Sequence, residues 1–87
     1  VLVDVARHRG LDRVPPGSVI RPGEIDDALA AQGSTLLPGD ILLLRTGHLS
    51  VFKIDGDRET YLWQGPGLGI DAAAWIRRHD LAAVCSD

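Results

Sequence analysis

Four consecutive apolar residues, Ile41-Leu42-Leu43-Leu44, follow a Pro38-Gly39-Asp40 turn and run into Arg45-Thr46-Gly47. The run is too short for a typical helix and lacks polar alternation, so it predicts a strand covered on both faces, as in a parallel sheet. Such a strand needs helices packed on it, and the flanking sequence supplies two. From Pro22 the spacing of Ile25, Ala28, Leu29 and Gln32 is helical. Pro22 suits the first turn, Glu24, Asp26 and Asp27 favour the positive end of the helix, and Gly33 supplies the C-terminal turn, although Arg21 is a poor N-cap. Asp71 is placed to cap a second helix running to His79, with Ala72, Trp75 and Ile76 on its apolar side and basic residues in its last turn. Trp75 has the spacing of a core residue. Residues 1–6 and 81–85 read as further strands, the second a buried one. Strand, helix and strand in this order imply right-handed crossovers and an α/β layer arrangement, with strand ends as the place for chemistry.

Two stretches are less regular. Residues 7–17 collect turn formers ending in Pro15-Pro16-Gly17 and read as a loop. Between Gly47 and Gly65, Val51, Phe52 and Ile54 precede Asp55-Gly56-Asp57, and Tyr61, Leu62 and Trp63 follow. This predicts a hairpin around an Asp-Gly turn, its aromatics forming a flap or lid.

At 87 residues the chain makes one small domain, residues 1–87, which buries only somewhat more than the roughly 60% of unfolded surface expected for 60 residues. An apolar fraction of 45% argues for a packed interior rather than disorder. A net charge of −3 gives no attraction to nucleic acid or anionic lipid. The arginines Arg7, Arg9, Arg13 and Arg21 lack interleaved aromatics and read as a solvated face or an interdomain contact. Neither a membrane span nor a signal peptide is visible. Cys85, the single cysteine, reads as a small buried hydrophobe, and its lack of a partner fits the cytoplasm. Val1 opens directly into a strand-like run and reads as an interior position.

Several constellations fall short. His8, His48 and His79 are too far apart in sequence to converge locally on a zinc ion. Asp55, Asp57 and Glu59 begin like a calcium loop, but Thr60 stands where it needs glycine and Pro66 where it needs glutamate. Gly67-Leu68-Gly69-Ile70-Asp71-Ala72 fits a permissive dinucleotide fingerprint with Asp87 at the ribose position. No buried strand leads into those glycines, however, and Asp71 would set a carboxylate beside the pyrophosphate. There is no nucleophile elbow. Arg45 ends the apolar run, where a guanidinium must be paired; a structural ion pair is the plainer reading and an active-site role the sharper one.

The Pro38 to Gly47 segment and Pro66-Gly67-Leu68-Gly69-Ile70-Asp71-Ala72-Ala73-Ala74-Trp75-Ile76 together resemble the metal-dependent cyclase family, which includes bacterial kynurenine formamidases and isatin hydrolases. The order of the opening Val1 to Ala6 run, Pro15-Pro16-Gly17, the short helix, Arg45-Thr46-Gly47 and the closing Ser86-Asp87 extends the resemblance nearly end to end. It implies a swivelling β/β/α-type domain, partial, with a mixed sheet and two short helices. It also implies a parent hydrolase that opens an amide or related C–N bond in a small aromatic substrate such as N-formylkynurenine or isatin, through water activated by a divalent metal, zinc or manganese. The family's His-x-Gly-Thr-His-x-Asp-x-Pro-x-x-His run is not in these residues. The chain is therefore expected to be a fragment of a larger domain, without catalytic or metal residues of its own and inactive alone. The pocket residues implied are Arg45, His48 (where many relatives have Trp), Trp63 and Asp87, the last matching a family Ser/Ala-Asp-Asn stretch. The resemblance further implies a homo-oligomer. The alternative is a non-catalytic small-molecule-binding or assembly module of the same fold.

Overall fold

The computed structural model describes all of residues 1–87. Three strands, β1 (Leu2–Asp4), β3 (Ile41–Arg45) and β5 (Ala83–Ser86), form a parallel sheet in the order β1-β3-β5, and β2 (Val19–Ile20) and β4 (Gly67–Leu68) form a second parallel pair. Leu44 stands beside Val3 on one side and Ser86 on the other, and Leu42 beside Val84. Five helices connect the strands: α1 (Val5–His8), α2 (Pro22–Gln32), α3 (Leu49–Lys53), α4 (Arg58–Trp63) and α5 (Ala72–Arg78).

Helix α2 starts at Pro22 and ends at Gly33, which has a φ of 71° and returns its N–H to the last turn, as its sequence predicts. Arg21 provides no side-chain cap. The first strand is shorter than expected because Asp4 ends it: its Oδ1 accepts the Arg7 N–H at 3.0 Å and starts α1, so Val5 and Ala6 are helical. Asp71 occupies the N-cap position of α5 but makes no cap bond, its carboxylate facing Arg21 instead at 3.1 Å. Val19 and Ile20, unassigned from sequence, become a strand through pairing with Gly67 and Leu68.

Several expectations are corrected. The sheets are parallel rather than mixed, and there are five helices rather than two. The segment 47–65 is a pair of helices, α3 and α4, rather than a hairpin. Asp57 accepts the Thr60 N–H at 3.1 Å and the Thr60 hydroxyl at 2.6 Å, which nucleates α4, while Arg13 pairs with Asp55 and bonds Ser50. These bonds turn the Asp-Gly-Asp sequence into a helix–helix link. Finally, β3 is covered on one face only. Val3, Leu42 and Leu44 join Val5, Ala6, Val14, Ile20, Ile25, Ala28, Leu29 and Trp75 in the core. Leu2, Ile41, Leu43 and Cys85 on the opposite face are exposed, so Cys85 is not the buried residue its surroundings suggest. The cause is topological. The chain steps in one direction from β1 to β3 to β5, and crossovers of one hand then place α2 and α5 on the same side. The Trp75 indole N–H donates to Asp26 Oδ1 at 3.0 Å and joins those two helices.

Candidate functional site

The ends of β3 and β5 lie side by side, and the chain leaving β3 turns sharply at Gly47. Gly47 has a φ of 76°, and a Cβ there would lie 2.7 Å from the Asp12 carbonyl oxygen and 2.9 Å from Arg13 Cβ, so only glycine lets the turn sit against the 12–13 segment. The Val14 N–H donates to the Thr46 carbonyl at 2.8 Å and fixes the same approach.

Asp87 follows β5 and closes this turn. Its Oδ1 accepts from the Thr46 N–H and the Thr46 hydroxyl, each at 2.7 Å, and its Oδ2 accepts from the Gly47 N–H at 3.0 Å. Partial burial pushes the Asp87 carboxyl up, but these three donors outweigh it and hold its pKa below the ordinary carboxylate value. Thr46, fully buried, returns its Oγ1 to the His48 N–H at 3.1 Å.

His48 is only 4% exposed. Its ring stacks on Tyr61, with centroids 5.1 Å apart and planes 19° apart, and Phe52 leans on Tyr61 from the other helix. Nε2 lies 2.9 Å from the Tyr61 carbonyl oxygen. A carbonyl only accepts, so Nε2 carries a proton, and in the neutral ring Nδ1 presents a lone pair. Nδ1 is buried and has no partner.

Thr46, His48, Tyr61, Leu62, Gly65, Pro66, Ser86 and Asp87 line one concavity of about 240 Å³. Of the residues singled out in the sequence, it brings together His48 and Asp87. Trp63, at the end of α4, is 82% exposed and does not line it. Arg45 does not line it either, its guanidinium pairing with Asp4 at 3.1 Å. Thr46 and Tyr61 escaped sequence reasoning as site residues. Thr46 was visible within Arg-Thr-Gly, and the Asp57-x-x-Thr60 cap would have set Tyr61 on a helix facing His48.

These residues do not fit a metal centre. No three His, Cys, Asp or Glu side chains come together to hold an ion, and the Asp87 oxygens are already engaged by three donors. The dinucleotide reading fails on the same geometry, since Asp87 is bound to the β3 turn and Asp71 to Arg21.

The fold and site define an α/β protein with a pocket at the carboxyl ends of parallel strands. A family profile described as "Putative cyclase" matches residues 1–87, and the chain belongs to that cyclase family. It is similar to a crystal structure described as that of a novel cyclase, with 39% identity and a TM-score of 0.88 over 100% of this chain. The chain spans 30% of the length of that cyclase. No curated protein matches. No helix is long and apolar enough to cross a membrane.

Proposed function

We propose that this chain forms one wall of the substrate pocket of a hydrolase of the cyclase family, acting in the cytoplasm on an amide or related C–N bond of a small aromatic molecule of the N-formylkynurenine or isatin kind. The observation that carries the reading is the Asp87 clamp on Thr46 and Gly47, which joins two strand ends and sets His48 and Tyr61 over a concavity. Its lining combines the aromatic rings of Tyr61 and His48 with the polar side chains of Ser86 and Asp87. It suits a flat molecule with a polar edge. Arg45 and Trp63 lie outside the concavity. The divalent ion implied by the family resemblance, zinc or manganese, would be held by residues other than these 87, and a homo-oligomer is the proposed assembly.

The full-length protein, given zinc or manganese, is expected to hydrolyse N-formylkynurenine or isatin, while the isolated 87 residues are not. Product formation followed by absorbance decides it. Absence of turnover by the full-length protein, with binding retained, would leave a non-catalytic binding module. Turnover by the 87 residues alone would overturn the assignment of the metal to other residues.

A further inference from the structure

We propose that His48 Nδ1 is the hydrogen-bond acceptor that selects the pocket's ligand, receiving an N–H or O–H from the polar edge of a planar molecule. The inference rests on the pocket reading above and adds the atom that discriminates.

His48 Nδ1 is the one buried side-chain nitrogen or oxygen without a partner. An acceptor buried without a donor is costly, so a ligand that supplies the donor restores the bond this nitrogen lacks. Two other polar side chains around the cavity, Asp87 and Thr46, are already engaged. Both Asp87 oxygens accept from Thr46 and Gly47, and Thr46 Oγ1 donates to Asp87 while accepting from His48 N–H. The tautomer is set by a residue of the same site, because the Tyr61 carbonyl holds the proton on Nε2 and leaves Nδ1 free to accept in the neutral ring. Stacking on Tyr61 fixes the plane in which that lone pair lies. Nδ1 is closed off from solvent, so a donor reaches it only when a neighbouring side chain moves aside.

Two substitutions separate this role from a structural one. Asparagine places its amide oxygen near the Nδ1 position and cannot reach the Tyr61 carbonyl. Glutamine places its amide nitrogen near Nε2, keeping that bond and losing the acceptor. The probes are isatin and N-methylisatin, equal in shape except at the N–H, titrated into the full-length protein with 15N-labelled histidine and read by NMR. Isatin is expected to shift the Nδ1 resonance and to bind roughly tenfold or more tightly than N-methylisatin. His48→Asn should retain that preference and His48→Gln should abolish it. Equal affinity for the two probes, an Nδ1 resonance that neither moves, no binding of either, or a preference kept by His48→Gln and lost by His48→Asn would each overturn the proposal. The last pattern would mean that the ring is only an anchor for Tyr61. Isatin bound through Nδ1 without turnover would leave the proposal standing and remove the hydrolase reading. Turnover with equal affinities would do the reverse.

Discussion

Asp87 and Gly47 carry the turn after β3 in different ways, and substitutions distinguish them. Asp87→Asn keeps the side-chain shape but sets an amide donor against the Thr46 or Gly47 N–H, with an expected loss of about 1 kcal/mol in urea unfolding, since the carboxylate is partly solvated. Its folded pKa lies below its unfolded value. The stability it contributes is therefore full above about pH 4 and is lost as pH falls through the lower folded value. Glu24, held low chiefly by the side-chain hydrogen bonds from Arg9, acts in the same direction. Urea midpoints measured from pH 6 downward should fall, with a shallower slope in Asp87→Asn; an unchanged slope would mean that the clamp does not form in solution. Gly47→Ala combines a left-handed backbone with a collision against Asp12 and Arg13, and about 2–3 kcal/mol of destabilisation is expected. Gly33→Ala has a similar φ of 71° but open space around it, so about 1 kcal/mol is expected there. Similar losses at both positions would show that packing against the 12–13 segment is unimportant. At this scale the sequence displayed Arg-Thr-Gly and the final Asp but not their union, because a clamp between residues forty apart leaves no local pattern.

Among the elements, those with local start and stop signals were legible. Helix α2 needed only Pro22, its apolar spacing and Gly33, and the Pro-Gly-Asp turn announced β3. The hairpin expectation for residues 47–65 failed because Asp-Gly serves either a strand turn or a helix link. The competing cap, Asp57 to Thr60, is also local and decided the outcome. Strands β2 and β4 were invisible because two residues each make a strand only through one another. Trp75 tests how α2 and α5 are joined. Its ring is buried in the core and its indole N–H reaches Asp26, so Trp75→Ala should cost about 3–5 kcal/mol and Trp75→Phe about 1–2 kcal/mol. Chemical denaturation followed by far-UV circular dichroism measures both. If Trp75→Phe matched the parent, the Asp26 bond would contribute nothing and packing alone would join the helices. The two tryptophans also differ optically: acrylamide should quench Trp63 readily and Trp75 hardly at all.

For the molecule as a whole, the sheet has one finished face. The unbroken Ile41–Leu44 run signals a strand covered on both sides, yet Ile41 is 50% and Leu43 44% exposed, beside Leu2 and Cys85. Parallel sheets are stable when both faces are covered, and a contiguous apolar patch on a small protein is a contact surface. Both edges, β1 and β5, are also unpaired. The structure matches 30% of the length of the novel cyclase it resembles, and over that part the backbone agrees closely. The isolated 87 residues should therefore associate through the open face. Their weight-average mass by sedimentation should rise with concentration, and they should bind a hydrophobic dye such as ANS. Leu43→Lys sets a charge at the centre of that face, where its long side chain can reach solvent without disturbing Leu42 and Leu44 beneath. It is expected to lower both association and dye binding. Ile70→Lys, at a residue that is still more exposed but lies outside the sheet, is expected to change neither. Association that survived Leu43→Lys and fell in Ile70→Lys would move the contact away from the sheet. A chain that stayed monomeric at all concentrations would show that one covered face suffices for this domain.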